Sequence, residues 1–172
     1  MASTNVMASF NAYDQVGPAA SYAQFDIVVG TSSPVENFPV IAFDATTQEY
    51  ADFVGRLPPA YSGGGLTVSF RTSATTTTGG MVIEAAFRRL TDDTVDLDTT
   101  ALTYDYNSVT IATLASVAGE LTYDSITFTN GTDMDSLAAG EEFLLRVRRA
   151  PANASDTATG DMRLHGVVIT ET

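Results

Sequence analysis

The chain has a single histidine, His165, and no cysteine. Those two facts remove most covalent and metal chemistry at the outset. A structural zinc site needs about four Cys, His or carboxylate ligands in a tight set, and thiol or CxxC chemistry needs cysteine. No G-x-S-x-G elbow and no Ser-His-Asp set is recognisable by motif. The run "SGGGL" (Ser62–Leu66) is not followed by a helix start or a Lys-Ser/Thr pair, so it reads as a turn between strands rather than a phosphate loop. Carboxylates are plentiful, 21 in all, and a glycosidase pair is not removed by counting. Such a pair needs two acids about 5–10 Å apart across a cleft, which sequence alone does not reveal. The loop "DDTVDLD" offers Asp92, Asp93, Asp96 and Asp98 as oxygen ligands for Ca²⁺. It lacks the central Gly and the terminal Glu of an EF-hand loop, so a solvated acidic loop is the preferred reading. No catalytic residue and no cofactor is assigned.

The basic residues pose a different question. All eight are Arg, and three of them, Arg146, Arg148 and Arg149, fall within four positions. The net charge of -13 argues against sequence-independent nucleic-acid binding, which needs a basic field, and against attraction to anionic membranes. Arg146 and Arg148 alternate with Leu145 and Val147, so both point away from a core. Arg88 lies on the outer face of its own strand. Two readings stay open for Arg88, Arg146 and Arg148. One is cross-strand pairing with Glu84, Glu141 or Glu142. The other is a subunit interface, which suits the planar guanidinium.

The elements that must carry these residues are strands. Period-two alternation runs through most of the chain, with Gly, Pro, Asn and Asp between the runs. "GLTVSFRTSA" puts Leu66, Val68 and Phe70 on one face, and "GMVIEAAFRRL" forms its hairpin partner. The segment Glu49–Leu57 needs a register shift if Tyr50, Phe53 and Leu57 are all to face inward. "LTYDSITF" needs one near Asp124–Ser125 to bring Leu121 and Tyr123 into line with Ile126 and Phe128. "TDMDSLAAGEEF" is the one good helical turn, with Asp133 or Asp135 as its cap and Gly140 ending it at positive φ. Seven to nine short strands with almost no helix predict an all-β fold, a jelly-roll β-sandwich, with an immunoglobulin-like sandwich as the alternative. Residues 1–37 are less regular and read as an N-terminal arm on a jelly-roll domain of residues 38–172. Val6, Met7, Phe10 and Tyr13 are more apolar than a solvated tail needs, so the arm is expected to order against a neighbour. The start has no basic n-region and no apolar core, so it does not read as a secretion signal. No apolar run approaches the roughly 18 residues of a membrane span.

The stretch Phe38–Thr172 resembles a group of phage-encoded β-sandwich virion proteins. The resemblance rests on "FDATTQE", "GGGLTV", "AFRR", "DMDSLAAGEEFLLRVRR", "DTATGD" and the final Glu-Thr. The arginine-bearing run is the most specific of these. The resemblance implies a non-enzymatic virion component of a tailed phage with a jelly-roll fold. The first expectation is a homotrimeric cement or decoration protein on the outer capsid surface, with the major capsid protein as partner, no nucleic acid and no membrane. The alternative is a receptor- or glycan-binding domain of a fibre or tail tip, using exposed tyrosines such as those of "LTYDYNS" (Leu102–Ser108). The chain has no Trp, so Tyr would have to supply any aromatic platform for a sugar.

Overall fold

A computed structural model of the chain describes residues 5–91, 95–99 and 101–172. The described residues form ten strands: β1 (Val6–Asn11), β2 (Gln24–Val29), β3 (Asn37–Phe43), β4 (Tyr50–Arg56), β5 (Leu66–Ala74), β6 (Met81–Leu90), β7 (Asn107–Ile111), β8 (Thr122–Phe128), β9 (Glu142–Arg149) and β10 (Met162–Glu171). They make two antiparallel sheets. The six-stranded sheet runs β2-β3-β10-β5-β8, with β1 also on β10; the four-stranded sheet runs β4-β9-β6-β7. From β3 onward the first half of the chain pairs with the second in mirror order: β6 with β7, β5 with β8, β4 with β9, β3 with β10. This is a long antiparallel hairpin rolled into two layers, the jelly-roll arrangement.

Inward residues of both sheets fill the core. Phe43, Phe53, Phe70, Phe128 and Phe143 are fully buried. Phe87 meets Phe128 and Phe143 edge-on at 4.9 and 5.4 Å, the geometry aromatic quadrupoles favour. Phe10 enters from β1 and stacks on Phe53 at 5.3 Å. Gly55 makes room for it: a Cβ there would lie 2.6 Å from the Phe143 ring and 2.8 Å from the Phe10 ring.

The first 37 residues, expected as an arm, contribute two strands to the six-stranded sheet. Met7 is buried in the chain's own core and Phe10 packs against it, while Val6 and Tyr13 stay exposed. The segment between β1 and β2 closes the outer edge of β4. Val16 N–H donates to Asp52 C=O and Ala23 N–H to Tyr50 C=O, both at 2.8 Å, and Tyr50 N–H donates to Ser21 C=O at 2.9 Å.

The bulges lie elsewhere than expected. β4 pairs with β9 without a break from Tyr50–Arg148 to Arg56–Glu142, so Tyr50 faces outward and Ala51 and Phe53 inward. β8 also pairs with β5 without a break. Tyr123 is consequently outward, and Asp124 shares the inward face with Ile126 and Phe128. Its Oδ2 is buried without a hydrogen-bond partner among the described residues, and burial pushes its carboxyl above the usual carboxylate range. The register shifts that do occur are at Met7 and at His165. The helical turn is a single 3₁₀ turn, Thr132–Met134, with no side-chain cap. Asp133 instead accepts from Thr129 N–H at 2.6 Å, and Gly140 does take positive φ, 78°.

β9 also carries a charge into the rim of the core. Arg149 has the same inward parity as Val147, and its side chain and that of Asp156 are 0% and 1% exposed. Its Nη2 donates to Asp156 Oδ1 at 2.7 Å and its Nε to Oδ2 at 3.0 Å. Two more bonds run to Ala158 C=O at 2.6 Å and Gly160 C=O at 2.7 Å. Asp156 in turn accepts from Val82 N–H at 3.0 Å. Asp156→Ala would leave the guanidinium buried and uncompensated, and is expected to destabilise by about 3–5 kcal/mol. Arg149→Met with Asp156→Leu should recover much of that loss. Urea unfolding of the three proteins checks this; equal midpoints for the single and double variants would refute it.

Candidate functional site

The arginines singled out by sequence lie on the outer face of the four-stranded sheet and are neutralised within the chain. Arg146 makes a bidentate pair with Asp52 on neighbouring β4, at 2.7 and 2.6 Å. Arg148 bonds Glu84 on neighbouring β6 at 2.5 Å. Arg88 pairs with Asp135 at 3.1 Å, and Arg89 with Glu141. Of the acceptors expected for Arg88, Arg146 and Arg148 (Glu84, Glu141 or Glu142), only Glu84 takes that role; Glu141 accepts from Arg89. The sequence reading missed Asp52 and Asp135, the partners of Arg146 and Arg88, because the shift expected in β4 hid the outward parity of Asp52 and Asp135 lies in the turn before β9.

The tyrosines of "LTYDYNS" cover these arginines. Tyr104 lies over the Arg146 guanidinium at 4.1 Å and Tyr106 over that of Arg148 at 3.7 Å, with Tyr50 at 5.2 Å from Arg146. Each stack is a cation–π contact. Burial pushes both phenols up, and Arg146 and Arg148 pull against it. Ring faces held on guanidinium planes are not free to receive a ligand. In the acidic loop, Asp92 and Asp93 lie outside the described residues. Asp96 caps its own turn by accepting from Asp98 N–H at 3.0 Å. Among the described residues no group of three or more His, Asp or Glu side chains is placed to hold a metal ion.

The outer face of the six-stranded sheet is different. A groove of ≈ 240 Å³ crosses β1, β10, β5 and β8, and its floor includes Ser9, Asn11, Ser69, Arg71, Tyr123 and His165. None of its lining residues is acidic, in a chain of net charge -13. Strand register brings them together. Arg71 sits opposite Tyr123 on β8 and Gly166 on β10. Asn11 lies opposite the same Gly166. Gly166 is required there, since a Cβ would stand 2.9 Å from Phe10 C=O. The bulge at His165 keeps Leu164 and Val167 both in the core and turns the imidazole outward. Tyr123 is 73% exposed, the most exposed tyrosine of the sheet faces. Arg71 makes one long contact, 3.5 Å to His165 C=O, and no ion pair among the described residues.

His165 Nε2 and Ser73 Oγ are 2.9 Å apart. This is not a presented nucleophile and base. Ser73 is only 3% exposed, and no carboxylate bonds the other ring nitrogen among the described residues. Burial, then the nearby charges of Arg71 and Arg163, hold the imidazole below its ordinary value, so it is neutral at pH 7.

No family model matches the chain, and no curated protein matches it. Solved structures do. The C-terminal CBM6, a carbohydrate-binding module, of the laminarinase LamC from Zobellia galactanivorans aligns at TM-score 0.50 and 12% identity, over 97% of this chain and 100% of that one. The CBM22-1–CBM22-2 tandem of Xyn10C from Paenibacillus barcinonensis aligns at TM-score 0.55 and 14% identity, over 97% of this chain and 50% of that one. At these identities the likeness is one of fold: the chain is a jelly-roll β-sandwich.

The depressed imidazole has a pH consequence. Between its folded pKa and about 6.5 the unfolded chain binds a proton that the fold excludes. Stability from this group is therefore present above pH 6.5 and falls as the pH drops below it. His165→Gln should flatten the change in urea midpoint between pH 7 and 5.5. The single histidine signal in an NMR titration should move with a midpoint below 6.5; a midpoint above 6.5 would contradict the assignment.

Proposed function

We propose that the chain is a non-enzymatic glycan-binding β-sandwich domain whose contact surface is the groove on the six-stranded sheet. The observation that carries this reading is an exposed tyrosine on an acid-free floor that mixes polar side chains with the apolar surface of Phe10, Val167 and Val168. Glycans present hydroxyls in every direction and flat apolar C–H faces. The Tyr123 ring offers the flat face. Ser9, Asn11 and Ser69 offer short donors and acceptors, and Arg71 offers a guanidinium not engaged by any carboxylate among the described residues. The groove is preformed by strand backbone, which limits the ordering cost of binding. The fold likeness to carbohydrate-binding modules is consistent with this reading but does not carry it. The phage setting, a fibre or tail-tip receptor domain, rests on the sequence resemblance and belongs to the same proposal. It moves the contact surface from Tyr104 and Tyr106, which cover arginines, to Tyr123.

A second reading, the trimeric capsid cement protein, has no support in the fold or in the structures it is similar to; the exposed apolar hairpin of β2 and β3 is not specific to it. Binding of the purified protein to expanded shells, and loss of that binding on changes in the hairpin, would favour it over glycan recognition.

A glycan array should return saccharide ligands. Tyr123→Ala should then weaken the best of them by about tenfold or more, as expected for a central aromatic contact, while Tyr104→Ala leaves affinity unchanged. An array without hits, or equal affinity for Tyr123→Ala, would overturn the reading.

A further inference from the structure

The largest feature that the groove does not use is the ribbon formed by β2 and β3. β2 packs along β3 and is the outermost strand of its sheet. Phe25, Ile27, Val29, Val35 and Phe38 are each 42–58% exposed. Tyr13, whose ring lies tilted against that of Phe25 at 5.1 Å, extends the patch. Isolated two-stranded ribbons are marginal in water, and an unpaired apolar edge is a template for another strand.

We propose that this ribbon pairs with the same ribbon of a second copy, β2 against β2, antiparallel about a two-fold axis through Ile27. A proline shows which backbone groups face the free edge. Ile27 lies opposite Pro39, which has no N–H. The Ile27 N–H and C=O therefore point away from β3, toward the free edge, and so do those of Phe25 and Val29. The alternation is confirmed at the hairpin end, where Gly30 N–H reaches back to Glu36 C=O at 2.8 Å. In the single chain the Ile27 N–H is taken by its own neighbour, the Asp26 carboxylate, at 2.7 Å. Pairing exchanges that local bond for a ladder bond.

A two-fold axis through Ile27 sets Ile27 opposite Ile27 and Phe25 opposite Val29. Each of these is a hydrogen-bonded pair, and the side chains form one apolar stripe across both copies. Asp26 falls opposite Val28, so the two carboxylates do not meet; an axis through Asp26 would oppose like charges. Phe38, opposite Val28, points to the other face of the ribbon. The exposed parts of Phe25, Ile27 and Val29 offer on the order of 250 Å² per copy, roughly a third of what each partner of a standard interface buries, and the paired strand edges and Tyr13 add to it. The pairing is isologous and closes on itself. Two copies of charge -13 repel at long range, so the association should strengthen with salt.

The absence of cysteine permits a direct test. Hydrogen-bonded antiparallel partners have Cα atoms about 5.5 Å apart, within disulfide reach. Ile27→Cys should crosslink quantitatively on mild oxidation, whereas Val54→Cys, exposed on β4, should not. Light scattering in 0.5 M NaCl should give twice the 18.1 kDa of the chain. Ile27→Lys, at a half-exposed site that the fold tolerates, should return the monomer with an unchanged urea midpoint at low concentration. A wild-type monomer at high protein concentration and high salt, a trimer, or a dimer indifferent to Ile27→Lys would overturn the proposal. None of these outcomes depends on whether the groove binds glycans.

Discussion

The buried pair of Arg149 and Asp156 fixes how the two sheets are joined. β9 belongs to the four-stranded sheet and β10 to the six-stranded one, so the chain between them must cross the rim of the sandwich. Asp156 bonds backward to β6 through Val82 N–H, while Arg149 holds Ala158 and Gly160 carbonyls ahead of β10. The crossing is thereby hydrogen-bonded to both of its ends. A buried ion pair is not in itself evidence of stability. Here its geometric content is large, because four acceptors converge on one guanidinium and define a single path into β10. The bulge at His165, the position of Gly166 and the docking of β1 all lie downstream of that path.

One strand, β9, thus distributes three arginines to two tasks. Arg146 and Arg148 point outward to Asp52 and Glu84 and support the rings of Tyr104 and Tyr106. Arg149 points inward to Asp156. Parity is the whole explanation for Arg149: it continues the series Phe143, Leu145, Val147. The same series was visible in the sequence. What hid the inward arginine was the rule that charge lies outside, which holds unless a partner is supplied. The partner was also visible, as an aspartate seven residues on in a loop rich in small residues.

The two-layer architecture was legible because alternation is strong in β5, β6, β9 and β10. The groove was not legible. Its residues come from four strands spread over the length of the chain, and only register brings them together. The expected bulges were placed by assuming that every large apolar or aromatic residue faces the core. Tyr50 and Tyr123 both break that assumption. Tyr50 faces outward within reach of the Arg146 guanidinium, and Tyr123 faces open solvent. The sign of the real bulge was the spacing of Leu164 and Val167, two core residues three apart in a strand, with His165 and Gly166 between them. The apolar content of the first 37 residues was legible, and its destination was not. Met7 and Phe10 complete the core, and the exposed apolar surface shifts to β2.

The placement of charge on the two faces has a further consequence. Four arginines of the four-stranded sheet and its rim, Arg88, Arg89, Arg146 and Arg148, are matched one to one with carboxylates. Arg71 on the groove, Arg163 on the same strand as His165 and Arg56 at the end of β4, which bonds only the Gly140 carbonyl, have no such match among the described residues. Two of these three lie on the outer face of the six-stranded sheet, so in a protein of net charge -13 that face holds most of the arginines whose charge no carboxylate offsets among the described residues, and an anionic group would be drawn to it more than to the paired sheet.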